Sequence, residues 1–382
     1  MRRAHVGVAV VAALLATLAG RLLVVTEVLK EVKTYGPVMC LKMPSSQAPE
    51  DALPIPGTRH VLMGVDDRMT LWHTPGKGPN DTYPGGITTM KLPKDMNDYP
   101  LIHPIDIKNW PKEVAFHPLG LHLRNDTLYA INNAYLQGGE RIEVFQVEGI
   151  KSQPGLKWQR SIQLPEYMYG IANDLVFTSN HEFFITTWHS QPDSPAGRSQ
   201  CLCSKLRITL EMLLGLEWTY LHRCKDSNGQ ATCEAVASGM LMNGVTLRGE
   251  ELWVADTVGR TVRRLKIEPD RVVEVQRIDT EYGVDNMEYD EVSDKIYMGV
   301  QARAWDYVDF INKAHSGGKP EGGIVGGCDE LDPTTGAVRH ILMQEKQNAV
   351  SSCSRSGQFL VMGSWQEPHA LVCPLEDPKK SS

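Results

Sequence analysis

The stretch Ala172-Asn173-Asp174-Leu175-Val176-Phe177, followed after a polar turn by Glu182-Phe183-Phe184-Ile185-Thr186-Thr187, decides how the rest of the chain is read. The second run is short and rich in aromatic and β-branched residues, the composition of a strand. About ten residues ahead of its second aromatic residue lies an apolar-polar-turn element, Ala172-Asn173-Asp174. The same pairing recurs along the chain. Strand-like runs stand at Met69–Trp72, Thr127–Ile131, Glu182–Thr187, Glu251–Ala255, Lys295–Gly299 and Gln358–Met362. The matching upstream elements are Thr58-Arg59-His60, Pro118-Leu119-Gly120, Ala172-Asn173-Asp174, Met242-Asn243-Gly244, Val284-Asp285-Asn286 and Gln347-Asn348-Ala349. The spacing averages roughly 55 to 60 residues, within reach of a four-stranded propeller blade with insertions. Six runs predict an all-β, six-bladed β-propeller with an apolar N-terminal helix. The segment around Leu210 to Tyr220 is the obvious helical exception, although it also reads as strand.

The chain has 382 residues, 42% hydrophobic residues and a net charge of -7, enough for one large closed core and without signs of disorder. No stretch concentrates Lys and Arg with interleaved aromatics, so nucleic acid is not an expected partner. Arg2 and Arg3 precede an apolar run from Val6 to Ala19, with Leu22 to Val25 beyond Arg21. A basic start and a short apolar core make a signal peptide or signal anchor. The organisation expected is therefore residues 1–36 as targeting segment and membrane tether, 37–376 as propeller, and 377–382 as polar tail. The propeller is expected in the lumen of the secretory pathway or outside the cell, secreted or membrane-anchored. Asn80-Asp81-Thr82 and Asn125-Asp126-Thr127 are glycosylation acceptors that agree with this.

The eight cysteines form no repeated C-x-x-C zinc pattern. Cys201 and Cys203 are too close for an unstrained bridge within one strand. Cys224 and Cys233 flank a hairpin-like turn, Asp226-Ser227-Asn228-Gly229, which allows a bond across it. Cys40 and Cys373 lie just outside the two ends of the folded region, where a bond would close a ring of strands.

Equal offsets in successive blades mean equal places in a propeller, and one such place in each blade faces the central channel. Asn173, Asn243, Asp285 and Asn286 are thereby directed at a common centre. Such a ring holds no nucleophile and no strong base. It offers hard oxygen ligands, the set calcium accepts in six- to eight-fold geometry. Soft metals are disfavoured because neither Cys nor His repeats at the offset. Asx residues most often cap turns, but four at matched offsets in three neighbouring blades favour a metal site.

From about Val38 to Leu375 the chain resembles the paraoxonase and arylesterase family of calcium-dependent lactonases. The resemblance lies in Gly170-Ile171-Ala172-Asn173-Asp174-Leu175-Val176-Phe177, in Asn243-Gly244 and in Val284-Asp285-Asn286. Leu210 to Tyr220 and His369-Ala370-Leu371-Val372-Cys373 carry it further. It implies a six-bladed propeller with two calcium ions in the tunnel. Asn173, Asn243, Asp285 and Asn286 match ligands of the catalytic ion, and Asp174 matches a ligand of the structural ion. It also implies a Cys40–Cys373 disulfide and hydrolysis of small hydrophobic esters or lactones, with the ion polarising the carbonyl.

The chain departs from that pattern. The family's first blade carries an adjacent Glu-Asp pair bridging the calcium sites, and the aligned residues here are Arg59 and His60. A guanidinium repels a divalent ion rather than binding it. Gly64-Val65-Asp66-Asp67 offers carboxylates nearby but misses the ten-residue offset. The family's water-activating His pair reads Leu119 and Asn133. His117 lies two residues before the first of these places and His122 three after it, and His117 is the candidate general base. Two functions of different class follow: a calcium-dependent ester or lactone hydrolase, or a non-catalytic propeller that binds partners after losing full calcium coordination. Sugar-lactone or condensation chemistry is a weaker third option, since fold alone does not set function. One apolar segment argues against a pump or channel, and the lack of an H-E-x-x-H cluster disfavours a zinc hydrolase.

Overall fold

The computed structural model describes residues 2–36, 40–73, 85–95, 98–193, 206–207, 210–211, 214–315 and 323–375. Helix α1 (Arg2–Thr26) leads to β1 (Leu41–Pro44). Blade one comprises β2 (Ala48–Pro54), β3 (His60–Asp66), β4 (Gly86–Lys91) and β5 (Leu101–Pro104). The short β6 (Ile107–Lys108) pairs with the outer strand of blade two, which comprises β7 (Pro118–Arg124), β8 (Thr127–Asn132), β9 (Arg141–Glu148) and β10 (Gly155–Gln163). Blade three comprises β11 (Ala172–Phe177), β12 (Glu182–Thr187), β13 (Thr219–Ser227) and β14 (Gln230–Gly239). Blade four comprises β15 (Met242–Arg248), β16 (Glu251–Asp256), β17 (Thr261–Ile267) and β18 (Val272–Asp279). Blade five comprises β19 (Gly283–Asp290), β20 (Lys295–Gln301), β21 (Val325–Leu331) and β22 (Val338–Asn348), with helix α2 (Ala304–His315) inserted after β20. Blade six takes β23 (Val350–Ser356), β24 (Phe359–Ser364) and β25 (His369–Pro374) from the end of the chain and β1 from its beginning.

The first strands form a closed ring: β2 packs on β7, β7 on β11, β11 on β15, β15 on β19, β19 on β23, and β23 on β2. The six-bladed propeller expected from the repeat is therefore present. Between blades the cores are apolar. Trp253, Val284, Met287 and Ile296 fill the joint of blades four and five, and Leu53, Leu62, Leu121 and Phe145 that of blades one and two. Closure buries the two blade faces that an open array would leave exposed at its ends, and the blades keep only short edges.

Every first strand breaks register at its start. The breaks fall between Pro49 and Asp51, Pro118 and Leu121, Ala172 and Leu175, Met242 and Val245, Val284 and Met287, and Val350 and Ser352. A bulge releases its residues from the ladder and re-aims their side chains. At two of these places glycine is required by close approach. A Cβ on Gly120 would stand 2.6 Å from the Asn173 carbonyl, and one on Gly244 2.5 Å from the Asp285 carbonyl.

Three parts of the sequence reading are corrected. Met69–Trp72 is not a strand but lies in a π-helical turn, Met69–His73, after β3. The run combines Trp and Leu at strand-like density, yet packs them over the channel. Gln347 and Asn348 end β22 and Ala349 links it to β23, and the sixth bulge falls later, at Ser351. Helix α2 was not expected, and the segment 206–220 is helical only at described residues 206–207, 210–211 and 214 before β13 begins at Thr219.

Cys40 and Cys373 are disulfide-bonded, fastening β1 to β25 where the ring closes. Cys224–Cys233 crosses the β13–β14 hairpin, and Cys328–Cys353 joins blade five to blade six. Cys201 and Cys203 lie outside the described residues. Three disulfides among the described residues suit an oxidising compartment. Because Cys40 and Cys373 are 333 residues apart, their bond restrains nearly the whole unfolded chain. Replacing both by Ser is expected to cost about 2–5 kcal/mol, measurable by denaturant titration.

Among the described residues no helix is long and apolar enough to cross a membrane. Leu15, Leu18, Leu22, Leu23 and Val24 of α1 are exposed.

Candidate functional site

The bulges gather the polar residues of the tunnel. Asn173 and Asp174 come from β11, Asn243 from β15, and Asp285 and Asn286 from β19, all buried. Blade one contributes Glu50 and Asp51 from the equivalent place on β2, also buried. Their equivalence is shown by one repeated bond. Leu121 N donates to Asp51 Oδ2 at 2.8 Å, and Val245 N donates to Asp174 Oδ2 at 2.7 Å. In each case a carboxylate holds the first free amide after the bulge of the next blade. Glu50-Asp51 therefore stands where Asn173-Asp174 stands.

This overturns the placement of Arg59 and His60 at the first-blade channel position. Both lie at the far end of the β2–β3 hairpin, where Arg59 donates to the Leu92 carbonyl and His60 pairs with Lys91. The misplacement has a simple cause. The offset from Met69–Trp72 leads to Arg59-His60, but that run is not a strand, and the same offset from β3 leads to Glu50-Asp51. The acidic pair missed by the offset was legible in Pro49-Glu50-Asp51-Ala52.

Some of these residues bond one another, and neighbouring groups brace the others. Asn286 Nδ2 donates to Glu50 Oε1 at 2.8 Å, Gln301 Nε2 to Asp285 Oδ2 at 2.9 Å, and Asn173 Nδ2 to Asn243 Oδ1. Thr186 Oγ1 donates to the Asn243 carbonyl at 2.5 Å, and Ser352 Oγ to the Glu50 carbonyl at 2.8 Å. Two oxygens stay without partners although fully enclosed, Glu50 Oε2 and Asn286 Oδ1. Burial raises the pKa of Asp51 to about 7, with the Glu50 charge adding to it. Burial, followed by Asp51, lifts Asp174, and burial, followed by Glu50, lifts Asp285. Burial lifts Glu50 as well, opposed by the nearby Arg68 guanidinium and the Asn286 amide. Unpaired buried oxygens and mutually repelling carboxylates are costly unless a cation joins them.

No three His, Cys, Asp or Glu side chains among the described residues form a ready-made metal cluster. The oxygen set here mixes four carboxylates with the amides of Asn173, Asn243 and Asn286. Hard, partly neutral oxygens of this kind suit calcium rather than zinc.

First strands begin, and second strands end, on one face of the propeller. The π-helical turn after β3, Trp188 after β12, α2 after β20 and Trp365 after β24 therefore share that face. Their side chains form one apolar cluster with Leu119. Trp72 lies 5.5 Å from Trp188, and Tyr307 and Phe310 lie 5.8 and 5.9 Å from Trp365. Leu119 occupies the blade-two bulge and is buried. Asn133 is fixed, accepting from Trp72 Nε1 at 3.3 Å and donating to Glu140 Oε1 at 2.8 Å.

His117 sits just ahead of β7, with its Nδ1 3.1 and 3.2 Å from the two carboxylate oxygens of Asp66. Asp66 thus does not replace the acidic pair of blade one. His122 points instead between blades two and three beside Tyr129, and burial lowers its pKa to about 4. Asn125 is exposed at the β7–β8 turn, and Asn80 lies outside the described residues.

No protein family's sequence profile matches the chain, and no curated protein matches it. Solved structures do resemble it. A putative 6-phosphogluconolactonase from Bacteroides uniformis shares 9% identity at a TM-score of 0.43, over 84% of this chain and 80% of that one. A second, from Bacteroides fragilis, shares 12% identity at 0.40, over 81% and 89%. A luciferin-regenerating enzyme shares 10% identity at 0.44, over 87% and 94%. Likenesses this distant carry no inference about the chemistry of this chain.

Proposed function

We propose that this protein is a calcium-dependent hydrolase of carboxylic esters or lactones, a divergent relative of the paraoxonase and arylesterase family. One observation carries the reading: four buried carboxylates and three buried carboxamides lie at the starts of the ring-forming first strands, with Glu50 Oε2 and Asn286 Oδ1 left unpaired. Glu50, Asn173, Asn243, Asp285 and Asn286 would hold a catalytic ion, and Asp51 and Asp174 a structural one. When bound, the ion supplies Lewis-acid polarisation of the substrate carbonyl. The residues of the chain do the rest. Trp72, Trp188, Leu119 and Trp365 receive the hydrophobic part of the substrate and keep bulk water from the channel. Thr186 and Ser352 hold the backbone from which the ligands project. The N-terminal helix brings the propeller to a membrane surface in the secretory pathway.

A second reading, a non-catalytic binding propeller, loses the support of Arg59 and His60 but keeps that of Leu119 and Asn133, an apolar and a locked side chain. Calcium titration with two readouts separates them. The hydrolase reading expects calcium to raise both the unfolding temperature and the rate of aryl-ester or lactone hydrolysis, since a ligand of the folded state alone adds stability. Stabilisation without turnover would leave calcium as a structural ion and overturn the hydrolase reading. No response in either would support the binding propeller that has lost calcium coordination.

A further inference from the structure

We propose that His117 is the general base of this site and that Asp66 is its positioning residue, an inference that rests on the hydrolase reading above. Nearly every hydrogen-bonding group of the His117 segment is fixed. Its N–H donates to Asn132 Oδ1 at 2.9 Å, and its carbonyl accepts from Asn133 N at 2.9 Å. The next carbonyl, that of Pro118, accepts from the buried Arg68 guanidinium, whose Nη1 also ties down the Ala48 carbonyl at 2.9 Å. The ring nitrogen Nδ1 faces both oxygens of Asp66, and the two side chains are almost wholly enclosed, 1% and 2% exposed. Among the described residues Nε2 has no hydrogen-bond partner.

A carboxylate on Nδ1 selects the tautomer with its proton there and leaves the Nε2 lone pair free to accept one. His117 lies two residues before Leu119, on the face where the aromatic cluster closes over the channel. Asn133, whose amide bonds the His117 carbonyl, is itself held by Trp72 of that cluster. No histidine aligned with the family's pair is needed.

In the step assigned here, water attacks the acyl carbon and its proton passes to His117 Nε2. The new carbon–oxygen bond gives a tetrahedral oxyanion. As the oxyanion re-forms the carbonyl, the bond to the leaving oxygen breaks and that oxygen takes the proton from Nε2. Ester and water are thus converted to acid and alcohol, with His117 restored.

The test uses the full chain with saturating calcium. It compares H117Q, D66N and D66E with the parent for kcat and KM on an aryl ester and a lactone, and for the calcium-induced shift in unfolding temperature. H117Q is expected to lower kcat about 100-fold or more with KM little changed and the calcium shift intact. D66N, which favours the opposite tautomer, is expected to lower kcat by a comparable factor on the order of 100 or more. D66E is expected to recover part of that loss. A purely structural role would lower the unfolding temperature of both Asp66 variants and spare kcat in the folded fraction. H117Q with parental kcat overturns the assignment of the base, and D66N with parental kcat overturns that of its positioning residue. Should H117Q not fold, the near-isosteric D66N decides alone. A parent that hydrolyses neither substrate defeats the hydrolase reading itself, and this proposal with it.

Discussion

Glu50→Gln combined with Asp51→Asn is expected to abolish the calcium-induced rise in unfolding temperature and to lower ester hydrolysis by a factor on the order of 100 or more, since calcium affinity follows ligand charge. The substitutions keep shape and hydrogen-bonding capacity and remove only charge. They also relieve repulsion among Glu50, Asp51, Asp174 and Asp285, so the calcium-free protein should unfold at a temperature equal to or above that of the parent. Arg59→Ala and His60→Ala, at the far end of the hairpin, should leave turnover and the calcium response at parental values. Parallel calcium titrations of the three proteins check this. Loss of response in the Arg59 or His60 variant, with the Glu50 and Asp51 variant unaffected, would overturn the blade-one assignment.

The calcium response is also expected to depend steeply on pH. Without a cation, Asp51 is held at about 7, against a value of 3.8 for an ordinary aspartate. A carboxyl whose folded pKa is raised adds stability below its unfolded value, and that contribution is lost as pH rises through the folded value. The calcium-free protein should therefore lose stability from this group between about pH 4 and pH 7. Calcium binds the deprotonated form, so below about pH 7 each displaced proton should cost roughly a factor of ten in affinity per pH unit. Thermal unfolding with calcium or with a chelator should show a small shift at pH 5 and a large one at pH 8. Equal shifts at both values would argue that the carboxylates are not the ligands. Burial is the first cause of the raised pKa and Glu50 the second, so Glu50→Gln should move the steep region to lower pH.

Much of this was legible in the sequence. The repeat of strand and upstream element announced the blades, because each blade is built from nearby residues whose alternation is local. The offset alone directs Asn173, Asn243, Asp285 and Asn286 to one place, since their blades carry short hairpins in which offset and structural place coincide, and Asp174 is added only by the family resemblance. The bond between Cys40 and Cys373 is implied by the family resemblance, and their positions at the two ends of the ring allow it.

What the sequence could not decide lies where chain distance and spatial distance part. The first blade carries an insertion after β3, and its π-helical turn has the composition of a strand. Composition measures burial as much as conformation, so Leu71 and Trp72, buried over the channel, were indistinguishable from strand residues. That single ambiguity displaced the blade-one element from Glu50-Asp51 to Arg59-His60. The pairing of Asp66 with His117 spans 51 residues and two blades, and no local pattern encodes it. The sequence thus determined the fold and most of the ring by itself, because both repeat. Only tertiary structure decided what fills the one irregular blade and which carboxylate faces which histidine, because those contacts arise where blades meet and are fixed by closure of the ring.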